Sequence, residues 1–334
     1  SRGLGDVYKR QLYNWTDSYG LAIILFALVV NLILLPFMAK SKKGMMKTTR
    51  IQPQLKELEK KHRGNQQKYQ QEVMKLYKEQ GASPTSGCLW SLIPFPILIA
   101  LYSVIRRPLT RMMFVTQEVV DTLQSFFVEQ GWYIIPEKAD GYVEITLAEI
   151  THTHWDEVQS ALAGKIDGLM NIDFTFLGVN LGQQPEWNFF SHTDWSDPSV
   201  WGPALGLFLI PFISAGLSWL SMKISNMANP VDNAQAAASM KSMNIMMPLM
   251  SIWICFIMPA ALGVYWIVNS LLYAIQEKAL TKYYKNHMED EISEKEKQKR
   301  EDRLRRMEAA REQQRKFAAE EAEKKTLKEK RAEK

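Results

Sequence analysis

Charge is missing where this chain is most apolar. Four runs, Leu21–Ala39, Cys88–Ile105, Trp201–Leu220 and Ile245–Ile275, hold no Lys, Arg, Asp or Glu. A run of about 18 or more such residues is long enough to cross a ~30 Å hydrocarbon layer as helix. That excludes an ordinary soluble domain and points to an integral membrane protein. Cysteine is scarce as well. Cys88 and Cys255 lie far apart and form no disulfide framework, so both read as small buried hydrophobes. Only five histidines occur, and they are scattered. There is no GxSxG, no HExxH, no phosphate-cradling glycine loop and no Cys/His set at metal spacing. No catalytic residue, metal or cofactor is therefore expected. His152 and His154 in "HTHW" lack the third partner that tight metal binding requires.

The last apolar run is too long for one crossing. Its 31 residues would make about 46 Å of straight helix. Pro259 and Gly263 interrupt it near the middle, which predicts two short spans, Ile245–Met258 and Ala260–Ile275. Charge agrees with that division. Lys40–Gly87 carries twelve basic and four acidic residues, Arg106–Val200 five and fourteen, and the tail from Glu277 nineteen and fifteen. Basic segments mark the cytoplasmic side. Five spans keep both basic segments inside, with the N-terminus outside and the C-terminus cytoplasmic in a multi-pass membrane protein. Short fourth and fifth spans would thin the bilayer around them.

The expected organisation is all-α. Residues 1–11 (SRGLGDVYKRQ) have no apolar core or cleavage site, are not a signal peptide, and read as a sequence-assembly remnant. The first span occupies 12–39 and a cytoplasmic segment 40–87. The second span is 88–105, an extracytoplasmic loop 106–200, and the third span 201–220. A cytoplasmic loop (221–244), the paired spans (245–275) and a charged cytoplasmic tail (276–334) complete the chain. Segment 40–87 reads as a helical hairpin. Pro53 starts a helix in which Leu55 and Leu58 share a face, and Asn65 caps the next helix. There Tyr69, Val73 and Leu76 share a face, and Gly81 is the stop. Each arm offers only a narrow apolar stripe, suited to a solvated loop or to docking a partner. The loop 106–200 shows no clear period, and its tryptophans suit the membrane interface. The tail is either a single exposed helix held by i, i+4 pairs or a disordered polyampholyte, and its clusters "KQKR" and "RLRR" permit contact with ribosomal RNA or anionic lipid.

Three stretches resemble one family. "IQPQLKELEKKHRGNQQKYQQEVMKLYKEQGASPTSGCLWSLIPFPILIALY" is similar to the cytoplasmic hairpin and following span of the YidC/Oxa/Alb insertases. "MMPLMSIWICFIMPAALGVYWIVNSLLYAIQ" resembles their last two spans, and "SYGLAIILFALVVNLILLPF" their first core span. The match is to a bacterial, Gram-positive-like short form. The resemblance implies five core spans around a polar groove that is open to cytoplasm and lipid and closed outside. It implies insertion of nascent membrane proteins, alone or beside the Sec translocon, without nucleotide hydrolysis. The groove would be lined by Asn31, Ser218, Ser221, Tyr265, Trp266, Asn269 and Gln276. Asn31 stands where the family usually has Arg, Pro94 where it has Gln, and Ser221 and Met222 in place of a polar pair before Lys223. Two other classes compete. A small transporter would need internal charge and repeated halves, which are absent from the spans. A tether that recruits ribosomes or other complexes would need no groove.

Overall fold

The computed structural model describes residues 18–62, 64–79, 94–137, 140–228 and 234–287, together with Gln298 and Arg305. The chain forms two units, 1–278 and 279–334. Among the described residues the secondary structure is almost entirely helical, and the only sheet is a two-stranded hairpin.

Helix α1, Tyr19–Arg50, is continuous through Pro36. Its 32 residues span about 48 Å. It therefore runs well past the expected boundary at Ala39 and carries its lysines beyond any hydrocarbon layer. Helices α2 (Gln52–Lys61) and α3 (Gln66–Glu79) form the expected hairpin. Pro53 lies in the first turn of α2, Gly64 turns the chain at φ +95°, and Asn65 Oδ1 accepts from the Lys68 amide at 3.0 Å. Its small core holds Ile51, Leu55 and Tyr77, with Val73 and Leu76 against them. Leu58 and Tyr69 are half-buried. Tyr77 was not in the expected stripe, yet it is the most enclosed side chain of the second arm. Burial raises its phenol above the ordinary range, with Tyr69 adding to the effect. Gly81 and the start of the second span, 88–93, lie outside the described residues.

Helix α4, Pro94–Arg106, is followed by a π-turn at Pro108–Met112. The region expected to be a loop without period is a folded subdomain. Helices α5 (Gln117–Glu129), α6 (Val143–Thr153) and α7 (Trp155–Ala161) enclose Leu109, Met113, Leu123, Phe127, Leu147 and Val158. Thr116 caps α5 through the Val119 amide. Glu144 accepts from both the amide and the hydroxyl of Thr110 at 2.8 Å, which ties α6 to the π-turn. Of the tryptophans expected at the interface, Trp132 instead stacks on His154 at 3.8 Å inside this subdomain. His152 bonds Asn171, and no cluster of three metal-ligating side chains occurs among the described residues.

Strands β1 (Thr175–Phe176) and β2 (Val179–Asn180) form the hairpin. Its turn has Leu177 at φ +51° and Gly178 at φ +80°. A leucine there pays about 1–2 kcal/mol for its Cβ. Asp197 then opens helix α8, Pro198–Ala228, by accepting from the amide and hydroxyl of Ser199. Those bonds hold the Asp197 carboxyl below its ordinary pKa. Helix α9 is Ala234–Ile257, and α10 occupies residues 260–278. The expected loop at 221–244 is thus mostly helix, because both helices continue beyond their apolar runs.

Helix is interrupted at Met258 and Pro259, but not at Gly263. Gly263 lies inside α10, where a Cβ would come within 2.5 Å of Ile210 on α8. Its role is close packing, as with other small residues between membrane helices. Helices α1 and α8 are long and apolar enough to cross a membrane. Cys255 is buried and free, and Cys88 lies outside the described residues. In the second unit residues 279–287 are helical, with Tyr283 stacked on His287 at 4.1 Å. Of the basic clusters of the tail, only Gln298 and Arg305 fall among the described residues.

Candidate functional site

Contacts along α1 and α10 rise in step. Phe26 meets Tyr265, Asn31 meets Asn269, and Lys42 meets Glu277. The two helices are therefore parallel, and their paired positions give a depth scale. The end near Tyr19 and Ala260 is the loop half; the end near Arg50 and Glu277 is the basic half.

The loop half is apolar and closely packed. Ala27, Leu207, Ile210, Ala260, Ala261, Leu262 and Tyr265 are buried there. Trp266 is half-buried and packs against the same core. The folded subdomain then closes this end through backbone groups. The carbonyls of Gln183 and Leu181 accept from the Ala260 and Ala261 amides at 2.8 and 2.9 Å. A helix start leaves its first amides without intrahelical partners, and these two carbonyls satisfy them. Across the break, the carbonyl of Ile257 accepts from Gln184 Nε2 at 2.6 Å and from the Tyr142 hydroxyl at 2.9 Å. Four hydrogen bonds therefore hold both sides of the α9–α10 break against one loop.

Polar side chains begin midway and continue to the other end. Asn31 Nδ2 donates to Asn269 Oδ1 and to the Ala27 carbonyl, each at 2.9 Å. The Ser218 and Ser270 hydroxyls lie 3.0 Å apart, and those of Ser225 and Tyr273 3.4 Å apart. Ser221 is buried between those levels. Gln276 Oε1 is enclosed without a hydrogen-bond partner among the described residues. At the basic mouth Lys42 Nζ meets Glu277 Oε1 at 2.5 Å, and their side chains are 2% and 6% exposed. On the far side of α8, a cleft of about 370 Å³ is lined by Trp219, Met222, Lys223, Asn226, Met227 and Asn244. Lys223 sits 5.1 Å over the Trp219 ring, and Asn226 donates to Asn244 at 3.0 Å.

Of the seven expected groove residues, Asn31, Ser218, Ser221, Asn269 and Gln276 fall along this polar track. Tyr265 and Trp266 belong to the apolar loop half. Asn31 is only 4% exposed: its amide is shut between α1 and α10 and does not open onto water in this conformation. Sequence reasoning missed Ser225, Ser270, Tyr273, Lys42 and Glu277. One signal was present. Ser214, Ser218, Ser221 and Ser225 are spaced 4, 3 and 4 residues apart, which places them on one helical face.

Such contacts can be exchanged. Hydrogen bonds between membrane helices average only about 0.6 kcal/mol, because partners are easily replaced. The track thus offers amides and hydroxyls in series at low cost of opening. The ion pair at its mouth is different, since parting it leaves a buried charge.

Comparison with known proteins agrees with this architecture. A family model described as "60Kd inner membrane protein" matches residues 11–288. A Membrane protein insertase YidC of Clostridium perfringens is 45% identical over 100 residues, covering 30% of this chain and 42% of that protein. One from Fusobacterium nucleatum subsp. nucleatum is 25% identical over 275 residues, covering 81% and 92%. A Membrane protein insertase YidC 2 of Listeria innocua is 26% identical over 278 residues, covering 82% and 68%. The more identical matches are partial: the chain spans under half of the Clostridium perfringens protein and 16% of the one from Chloroherpeton thalassium. With most of its length matched, from the first helix through the last, the chain belongs to the 60Kd inner membrane protein family, the YidC/Oxa/Alb insertases.

Proposed function

We propose that this chain moves nascent transmembrane segments from the cytoplasm into the bilayer along the polar track, without nucleotide hydrolysis. The basic half faces the cytoplasm, as the excess of Lys and Arg in 40–79 and the positive-inside rule support. The N-terminus is then outside, and five spans (α1, a second ending in α4, α8, α9 and α10) surround the track. The observation that carries the reading is the asymmetry of α1, α8 and α10. Their side chains are polar only from mid-depth to the basic end, while the other half is packed dry and capped by the folded loop.

That asymmetry addresses the barrier to insertion. A substrate helix enters lipid on its own hydrophobicity, at roughly 25 cal/mol per Å² of apolar surface buried. Its polar flank resists, because an unpartnered polar group in hydrocarbon costs several kcal/mol. A track of exchangeable amides and hydroxyls supplies partners halfway across and so shortens the dry distance. The sealed half keeps ions from following. The hairpin α2–α3 has a small core and would receive or deliver substrate at the mouth. Nascent chains are the primary partner, and the basic tail would make salt-sensitive contact with ribosomal RNA. Cooperation with the Sec translocon and contact with membrane lipid fit the same surface.

Depletion of the protein, followed by protease mapping of a single-span reporter, tests the reading. Integration should fall and return with the intact chain. A reporter that still integrates but no longer brings ribosomes to the membrane would instead make the chain a tether.

A further inference from the structure

The β1–β2 hairpin is wedged between the loop ends of two long helices. A Cβ on Gly20 of α1 would fall within 2.1 Å of the Phe176 ring, and one on Gly206 of α8 within 2.6 Å of Val179. Each glycine is thus a seat for one strand. Tyr19 sets the edge of its ring against Phe174 at 4.8 Å, which fastens the β1 side further.

Leu177, at the tip, does not suit a turn in water. Two-residue hairpin turns with both central residues at positive φ favour Asn-Gly or Asp-Gly, whose first side chain can bond locally. Here that place holds a leucine that is 88% exposed. The helices that seat the hairpin carry exposed leucines beside it. Leu21 follows Gly20 and Leu209 lies one turn beyond Gly206; they are 44% and 40% exposed on helices able to cross a membrane. A second contact holds the same region of the loop against α8: Phe189 packs on Phe208 with ring centroids 4.8 Å apart. Its neighbours Trp187, Phe190 and Trp195 are exposed, and aromatic side chains of this kind settle at headgroup level.

We infer that the hairpin is a membrane-dipping wedge whose Leu177 enters the acyl chains of the leaflet on the loop side. Exposed leucines beside both glycine seats, on helices able to cross a membrane, favour lipid over a protein partner. The wedge fills the space between α1 and α8 at that end and anchors the folded loop to the bilayer. This inference depends on the chain spanning a membrane and not on insertase activity.

Nitroxide labels at Leu177→Cys, Thr175→Cys and Lys165→Cys, each with Cys88→Ser and Cys255→Ala, test it in the full chain reconstituted into phospholipid vesicles. The label side chain is itself mostly apolar, and its burial in hydrocarbon is favoured at least about tenfold, so contact with a water-soluble nickel complex should be about tenfold lower at position 177 than at 165. Oxygen, which dissolves in acyl chains, should reach Leu177 readily, and Thr175 should be intermediate. Equal nickel contact at Leu177 and Lys165 overturns the inference by placing the tip in water. Shielding of Leu177 from both reagents overturns it by placing the tip against protein. A measurement on the unaltered chain covers the event that the variants do not fold. A phospholipid bearing a photoreactive mid-chain diazirine should label the peptide containing Leu177, and labelling confined to α1, α8 and α9 would contradict the wedge.

Discussion

The two halves of the helix bundle are held together by different physics. In the loop half, Ala27, Ala260, Ala261 and Gly263 bring backbones close, and loop carbonyls satisfy the first amides of α10. In the basic half, side-chain hydrogen bonds and one ion pair link α1, α8 and α10. Close packing resists change in small steps, whereas polar pairs can exchange partners. The comparison teaches that one bundle can combine a closely packed end with a hydrogen-bonded end while its helices continue through both.

The ion pair gives the largest expected effect. Lys42→Met takes the ammonium away from the buried Glu277 carboxylate, which should cost about 3–5 kcal/mol in unfolding from detergent micelles. Adding Glu277→Leu should recover most of that loss. A double variant as unstable as the single one would show that the charges do not act as a pair. Next comes the close packing of the loop half. Gly263→Val must push Ile210 away and should cost about 1–3 kcal/mol, with Ile210→Ala in the same chain giving part of it back. Additive losses would mean that the two sites do not touch.

The amide pair should matter less for stability than for insertion. Asn31→Leu should destabilise the chain by under about 2 kcal/mol, yet impair reporters with polar flanks more than wholly apolar ones. Equal impairment of both reporters would reduce Asn31–Asn269 to a structural contact. The smallest effect lies in the folded loop. Glu149 is half-buried and accepts from Asn180 Nδ2 at 2.7 Å; the burial dominates and raises its pKa. A native carboxyl with a raised pKa holds its proton where the unfolded one has lost it. Stability therefore falls as pH rises from the ordinary Glu range through the raised value. Glu149→Gln keeps the acceptor and should flatten that slope, raising stability at neutral pH by under about 1 kcal/mol. A thermal melt series across pH with the same slope in both proteins would assign the slope to another group.

Much of the frame is legible in the chain itself. Uncharged runs mark the apolar helices, Pro259 marks the end of α9, and Asn65 marks the start of α3. The helix ends are not, because α1 and α8 continue as polar helix after their apolar runs stop. Gly263 looks like a breaker until Ile210 is placed beside it. The folded loop escapes a reading by period, since its helices are short and it is closed by contacts such as Glu144–Thr110 that no local pattern encodes. The serine face of α8 is hidden for another reason: serine barely lowers hydropathy, so four of them do not interrupt an apolar run. Lys42 and Glu277 are 235 residues apart, and only the fold pairs them.

Photo-crosslinking of a stalled nascent membrane protein tests the central claim most directly. A photoreactive residue would be placed, one at a time, at Ser218, Ser221, Ser225 and Tyr273 in the basic half, and at Leu207, Ile210, Leu262 and Tyr265 in the loop half. The account predicts adducts with the substrate's transmembrane segment and its flank at the first four positions and none at the second four. Adducts of equal yield in both halves, or adducts confined to the loop half, would contradict it.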